Sequence, residues 1–342
     1  MKLCLAALLF ATLTFPAGAQ PDQKPKDATM WLQRAAGQMN LRAFGATPFH
    51  MKVTFHAFPG IVLSDKPADQ IISGDGTYEE TWVAPHQWRR EVTFGSYHAV
   101  EVESQAGRKM QASSDYEPSR VLMLLDALLY PIPRARSSPL RFGDHPHWKI
   151  ESGAAGNQSY VKIGRTYTRL DVTEAYLFLP SGELLQSVDA GVVTNLTNPA
   201  VFHGKLVAQH IQIQGGNKQD LVTAHLTVEP AGPADPTAFT LPGSPAEPGM
   251  TLRPLDFAEC TVSFPEMNFT IETNGPLKPL GYLLAIIDRH GKIHELEVLY
   301  SPNPQNFMLL LPLIRGLRSH PPTIDKSPCE FAWIELWDPN NN

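Results

Sequence analysis

The densest group of metal-binding side chains in the sequence is Asp144-His145-Pro146-His147, two imidazoles beside a carboxylate. A zinc site needs at least three protein ligands. No third lies nearby in sequence, and Gly143 and Pro146 mark the stretch as a loop. His290 and His294 would share a face on a helix, but Gly291 between them makes the segment a hairpin turn, so they read as solvated. No nucleophile elbow, phosphate loop, H-E-x-x-H pair or dinucleotide fingerprint occurs. An enzyme would need an acid, base or metal cluster converging on His145, His147, His203 or His210 from distant parts of the chain. The expectation is therefore a protein that is not an enzyme, with no cofactor and no metal. Asn195-Leu196-Thr197 and Asn268-Phe269-Thr270 match the glycosylation acceptor pattern, which matters only in a host that glycosylates exported proteins.

The aromatic residues say more. Trp82 and Trp88 flank the turn at Pro85-His86, with Tyr78 and Phe94 close by in the same hairpin. Paired across that hairpin they give the sheet a broad apolar face. From Glu117 to Leu129, Val121, Leu122, Leu124, Leu125, Leu128 and Leu129 recur at helical spacing. Pro118 suits the first turn, and Pro131 and Pro133 end the helix. Such a helix is too apolar to face water. Laid on a curved sheet, it either completes a solid core or lines a pocket able to shelter an acyl chain. Trp82, Trp88, Phe94, Leu124 and Leu128 are the candidate lining, and both readings stay open at this level.

Positioning these residues takes several kinds of element. Lys2, the apolar run Leu3 to Phe15 and the small residues Ala17-Gly18-Ala19 form a secretory signal over residues 1–19, with cleavage expected near Ala19. The run falls short of the roughly 20 residues that span a bilayer. No later segment is long and apolar enough, so the mature protein is expected to have no transmembrane span and to be periplasmic or secreted. A chain of 342 residues with net charge -6 has room for two domains and lacks the basic footprint of a nucleic-acid binder. Without the signal two cysteines remain, Cys260 and Cys329, a candidate disulfide in an oxidising compartment. The 31 prolines and 24 glycines fit a β-rich chain with many turns better than a helical bundle.

After a flexible leader over 20–27, Ala28 to Leu41 reads as a helix with Met30, Leu32, Ala35, Ala36 and Met39 on its apolar side. The period then changes from helical to alternating. Met51, Val53, Phe55 and Ala57 share one face of a half-buried strand. Gly74-Asp75-Gly76, Pro85-His86 and Gly95-Ser96 turn a meander of hairpins through about Met110. Strand signals return at 160–163, 168–172, 175–179, 184–187, 206–214 and 221–229. Together these predict a β-rich α+β fold, a curved antiparallel half-barrel sheet with covering helices over residues 28–229. Seven prolines between Pro230 and Pro254 mark a stiff, solvated linker. Residues 255–342 then form a small ββαβ unit, with strands 282–288 and 293–300, a helix over about 305–317 and a last strand over 329–337.

Two resemblances rest on these segments. The starting helix, the hairpin Gly76-Thr77-Tyr78-Glu79-Glu80-Thr81-Trp82-Val83-Ala84-Pro85-His86-Gln87-Trp88-Arg89 and the segment Asp235 to Pro242 resemble the periplasmic lipoprotein-carrier superfamily, over about residues 28–245. That resemblance implies a half-barrel that shields a lipid or lipoprotein acyl chain. It also implies an arginine on the concave face that helps hold a lid closed. Arg89 is the matching position, with Arg90 beside it, and alternation allows only one of the two to point inward. The segment Leu283 to Ile293, with its Asp288-Arg289-His290-Gly291 turn, and Leu317-Arg318-Ser319-His320-Pro321 resemble the C-terminal domain of TonB-type energy transducers. That likeness implies an adaptor that adds a strand to the sheet edge of an envelope protein. The other expectation is an interaction component of an envelope transport system with a solid core and no small-molecule ligand.

Overall fold

Apolar–polar alternation is strictest at Phe49–Ala57, and this strand, β1, lies inside the main sheet with Phe49, Met51, Val53, Phe55 and Ala57 buried. The computed structural model describes residues 28–62, 73–114, 116–129, 131–132, 148–167, 172–189, 191–232, 236–243 and 281–301. Beyond these it describes the backbone of 323–324, 327–328 and 331–337. Helix α1 (Ala28–Met39) precedes β1, and β2 (Ile61–Val62) follows it. Then come β3 (Gly74–Ala84), β4 (Gln87–Phe94), β5 (Tyr97–Ser104), β6 (Gly107–Ala112) and helix α2 (Ser119–Leu129). The second run is β7 (Lys149–Ala155), β8 (Gln158–Tyr167), β9 (Val172–Phe178), β10 (Leu184–Asp189), β11 (Val192–Phe202), β12 (Lys205–Gly215) and β13 (Asp220–Pro230).

Apart from β2, these strands form one twelve-stranded antiparallel sheet in the order β6-β5-β4-β3-β1-β13-β12-β11-β10-β9-β8-β7. The closing pair is β1 with β13, Val53 opposite Leu226, so the first and last strands of the run meet in the middle. Each flank is a meander of short hairpins. The helices pack on the buried face, α1 against β12 and α2 against β12 and β13. One core runs through both flanks and both helices.

Two sequence expectations change here, and one strand is added. The buried face of α1 is Ala28, Trp31 and Ala35, with the Trp31 ring 5.7 Å from Phe178. Met30, expected on the apolar side, is 43% exposed, because the large indole sets the rotation of the helix. Strand β11 falls between the strand signals at 184–187 and 206–214 and carries Pro199, a residue that a sheet interior disfavours. The structure accommodates it because β10 pairs only with Val192 to Asn195, and Pro199 lies beyond that stretch. The proline-rich segment was expected to be solvated. Among its described residues, Pro236–Phe239 forms a 3-10 turn against β4 and β5, with Phe239 buried. Lys109 Nζ donates to the carbonyls of Leu241 (3.1 Å) and Gly243 (2.7 Å).

A second sheet has the order β18-β14-β15-β2, from β14 (Gly281–Ile287), β15 (Ile293–Tyr300) and, after the short β16 (Thr323–Ile324) and β17 (Ser327–Pro328), β18 (Phe331–Trp337). It takes β2 from the N-terminal part of the chain, Ile61 opposite Val298 and Val62 opposite Glu297. The Asp288-to-Gly291 turn forms as the spacing predicts. Asp288 Oδ1 accepts the amides of His290 (2.8 Å) and Lys292 (3.0 Å), and Gly291 sits at φ 79°. The expected helix over 305–317 lies outside the described residues, as do the signal segment over 1–19, the leader over 20–27, Cys260 and Cys329.

Candidate functional site

The inner face of β3, β4 and β5 is where aromatic and charged side chains meet. Trp82 lies directly opposite Trp88 across the hairpin. Trp82 stacks on Phe49, centroids 5.7 Å apart and planes 13° from parallel, and Phe94 packs on Phe55 at 5.5 Å. Trp82, Trp88, Phe94, Leu124 and Leu128 all belong to the one buried cluster. The structure thus brings five of the six cavity candidates together, as packed core. Two cavities lie elsewhere. One, of about 600 Å³, opens beside Thr54, His56, Asp75 and His225, and the other, of about 250 Å³, lies between residues 41–47 and 202–205.

The sixth candidate, Arg89, is corrected. Strand alternation puts Trp88, Arg90, Val92 and Phe94 inward and Arg89 outward, where it pairs with Glu91 at 2.8 Å. Arg90 is the inward arginine. Its Nε donates to Glu80 Oε1 at 3.1 Å, and its guanidinium lies 4.3 Å from the Trp88 ring centroid. Glu80 has no exposed surface and also receives Arg42, from the loop after α1, through Nε (2.8 Å to Oε1) and through Nη2. The Tyr78 hydroxyl donates to Glu80 Oε2 at 3.0 Å. The charges continue along the row, Arg90 to Glu101 (3.9 Å) and Glu101 to Arg108 (3.6 Å). Opposite charges therefore alternate across four strands, from buried Glu80 on β3 through Arg90 and Glu101 to the exposed Arg108 on β6.

Electrostatics follow from that order. Burial alone pushes the Glu80 carboxyl up. The charges of Arg42 and Arg90, with hydrogen bonds from Arg42 and Tyr78, more than offset it and hold the group at about 2. Burial lowers the Arg42 and Arg90 guanidiniums, and Glu80 raises both above the usual arginine value. The Tyr78 hydroxyl is driven well above the usual phenol range, by burial first and by the Glu80 charge second. Glu80, Arg42 and Arg90 are thereby held in their ionised forms at neutral pH, and Tyr78 in its neutral one.

Nine of the eleven residues of α2 are buried. Near its C-terminal end, Arg42 Nη1 donates to the Leu128 carbonyl at 3.4 Å, so one guanidinium touches both Glu80 and the covering helix. Sequence reasoning missed Arg42 and Glu80. The signal was present for Glu80, which falls between Tyr78 and Trp82 on the same alternation. Arg42 carried none, because its loop has no period. His203 packs on Phe202 and His210 on His225, and among the described residues no three His, Cys, Asp or Glu side chains are placed to hold a metal. His145 and His147 lie outside the described residues.

The two arginines should behave very differently. Arg90→Ala is expected to cost about 3–5 kcal/mol, since it strands Glu80 against Arg42 and removes a partner of Glu101. Arg89→Ala, on the outer face, is expected to stay within about 0.5 kcal/mol. Urea denaturation of both variants measures this, and equal losses would contradict the inward assignment of Arg90.

No family model matches the chain, and no curated protein does. Its fold is similar to that of a LolA superfamily protein from Nitrosomonas europaea, at 11% identity and a TM-score of 0.35, covering 63% of this chain and 97% of that one. An outer membrane lipoprotein-sorting protein domain from Vibrio parahaemolyticus matches at 8% identity and a TM-score of 0.35, covering 61% and 94%. A DUF1329 family protein from Desulfovibrio piger matches at 7% identity and a TM-score of 0.35, covering 62% and 95%. At these scores none of them fixes a function.

Proposed function

We propose that this is an exported, non-enzymatic binding protein whose half-barrel takes an apolar chain, a lipid or a lipoprotein acyl group, onto its inner face beneath α2. The observation that carries this is α2 itself, an almost wholly buried leucine-rich helix laid over an aromatic sheet. Its apolar surface occupies the volume that a ligand chain would fill, so the present arrangement is the closed form. Exchange of helix for ligand would conserve apolar burial, which keeps the cost of opening low. The inward Arg90 and the Arg42 contact to Leu128 support a latch of the kind the lipoprotein-carrier resemblance implies. Export follows from the signal reading of residues 1–19. In that setting Cys260 and Cys329 would form a disulfide, and residues 255–342 would serve as a TonB-like adaptor toward an envelope protein.

A second reading keeps the core closed permanently and makes the chain an interaction component of an envelope transport system. Its support is the tight packing of Trp82, Phe94 and Leu124, which are at most 2% exposed. Native mass spectrometry with lipid extraction, on protein purified from the periplasm, separates the two. A co-purifying acyl species is expected. Repeated absence from intact, folded protein would remove the carrier reading and leave the second.

A further inference from the structure

The two ends of α2 are held by different parts of the chain. Its C-terminal end meets Arg42, but its N-terminal end is held by the second sheet. Glu295 Oε2 accepts the Ser119 amide at 2.9 Å, satisfying a free donor of the first turn. Arg120, with no exposed surface, sets Nη1 and Nη2 on the two Glu297 oxygens at 2.7 Å each. Its Nε and Nη2 also reach the Phe58 carbonyl, at 3.1 Å each. Glu297 is in turn the residue whose backbone pairs with Val62 of β2. One residue of β15 therefore ties together the strand after β1, the second sheet and the covering helix. The Tyr116 ring stacks on His294 at 4.1 Å, which adds a contact just before α2.

Moving α2 off the sheet must break the bidentate Arg120–Glu297 pair or drag β15 along. Breaking it inside the core leaves two uncompensated charges, whereas withdrawing β15 exposes both partners to water together. The second route is the easier one. We propose that the second sheet is a clasp on α2: docked, it keeps the inner face covered, and when a partner draws β15 away, α2 is freed and the face opens. This rests on the reading of α2 as the cover that yields to an apolar chain, and the two can fail separately.

Hydrogen–deuterium exchange on the full chain tests it. In Glu297→Gln, the amides of residues 119–129 are expected to exchange about tenfold faster, with far smaller changes in β1 and β13. Because the substitution also leaves Arg120 short of a partner, wild-type protein supplies a second measurement. There, α2 and β14–β15 are expected to open together, with one urea dependence, before β1 and β13 do. Unchanged exchange in α2, or a rise by the same factor in the core strands, would overturn the clasp. So would separate opening of α2 and β15 in the wild type. Binding of a dansyl-labelled fatty acid to the same variant isolates the ligand reading: faster α2 exchange with no gain in probe binding keeps the clasp and removes the ligand.

Discussion

Glu80→Ala is expected to be among the most damaging single substitutions in the twelve-stranded sheet, lowering the unfolding free energy by about 3–5 kcal/mol. The carboxylate balances Arg42 and Arg90 and accepts the Tyr78 hydroxyl, all in the core. Alanine removes the acceptor and leaves two guanidiniums desolvated, so the cost comes mainly from stranded charge rather than from lost volume. This separates it from an ordinary cavity mutation. The triple replacement Arg42→Met, Glu80→Met and Arg90→Met, which removes Glu80 and both of its guanidinium partners and keeps their bulk, should recover much of the loss, less the cost of taking Arg90 away from buried Glu101. Denaturation in urea at pH 7 measures both. The carboxyl held at about 2 also fixes a pH dependence. Its contribution is present above the unfolded value of 4.5 and is lost as pH falls toward 2. The alanine variant should lose less stability than wild type across that acid window. If the triple variant is as unstable as Glu80→Ala, charge imbalance is not the cause.

The hairpins of the meander were legible because alternation is a local property, and β1, β3 and β4 bury the residues that their period predicts. The Trp82–Trp88 pair followed from turn position alone. What the sequence hid has nonlocal causes. Pro199 is tolerated in β11 because β10 is short, a property of a different segment. Trp31 sets the rotation of α1 because Phe178, far along the chain, leaves room for an indole. The inward arginine could not be chosen from the dipeptide Arg89-Arg90 without the strand register, although Trp88 on the same strand fixes it once Trp88 is known to be buried. Arg42 and the Arg120–Glu297 pair were out of reach. The latter joins residues 177 positions apart, and helical periodicity gives Arg120 no role.

Between pH 5 and pH 8 the contact of the second sheet with α2 should weaken, through Glu295. Burial pushes its carboxyl up to about 7. The Ser119 hydrogen bonds and the Arg120 charge pull the other way, and Glu297 adds to the rise. The unfolded chain releases this proton near 4.5, while the folded chain holds it to about 7. Folded protein therefore binds more protons across that interval, and stability falls as pH rises through it. Below 4.5 the contribution is fully present, and above about 7 the loss levels off. Over roughly 2.5 units at about 1.4 kcal/mol each, the loss is on the order of 3 kcal/mol. Glu295→Gln keeps an oxygen for the Ser119 amide and removes the titration. The variant should match wild type near pH 5 and exceed it by as much as about 3 kcal/mol at pH 8. Urea midpoints of the two proteins at pH 5, 6, 7 and 8 isolate the effect, because every other titrating group is common to both. A difference that stays constant with pH would mean that Glu295 is already ionised against Arg120. The clasp would then hold α2 with the same strength at pH 5 and at pH 8.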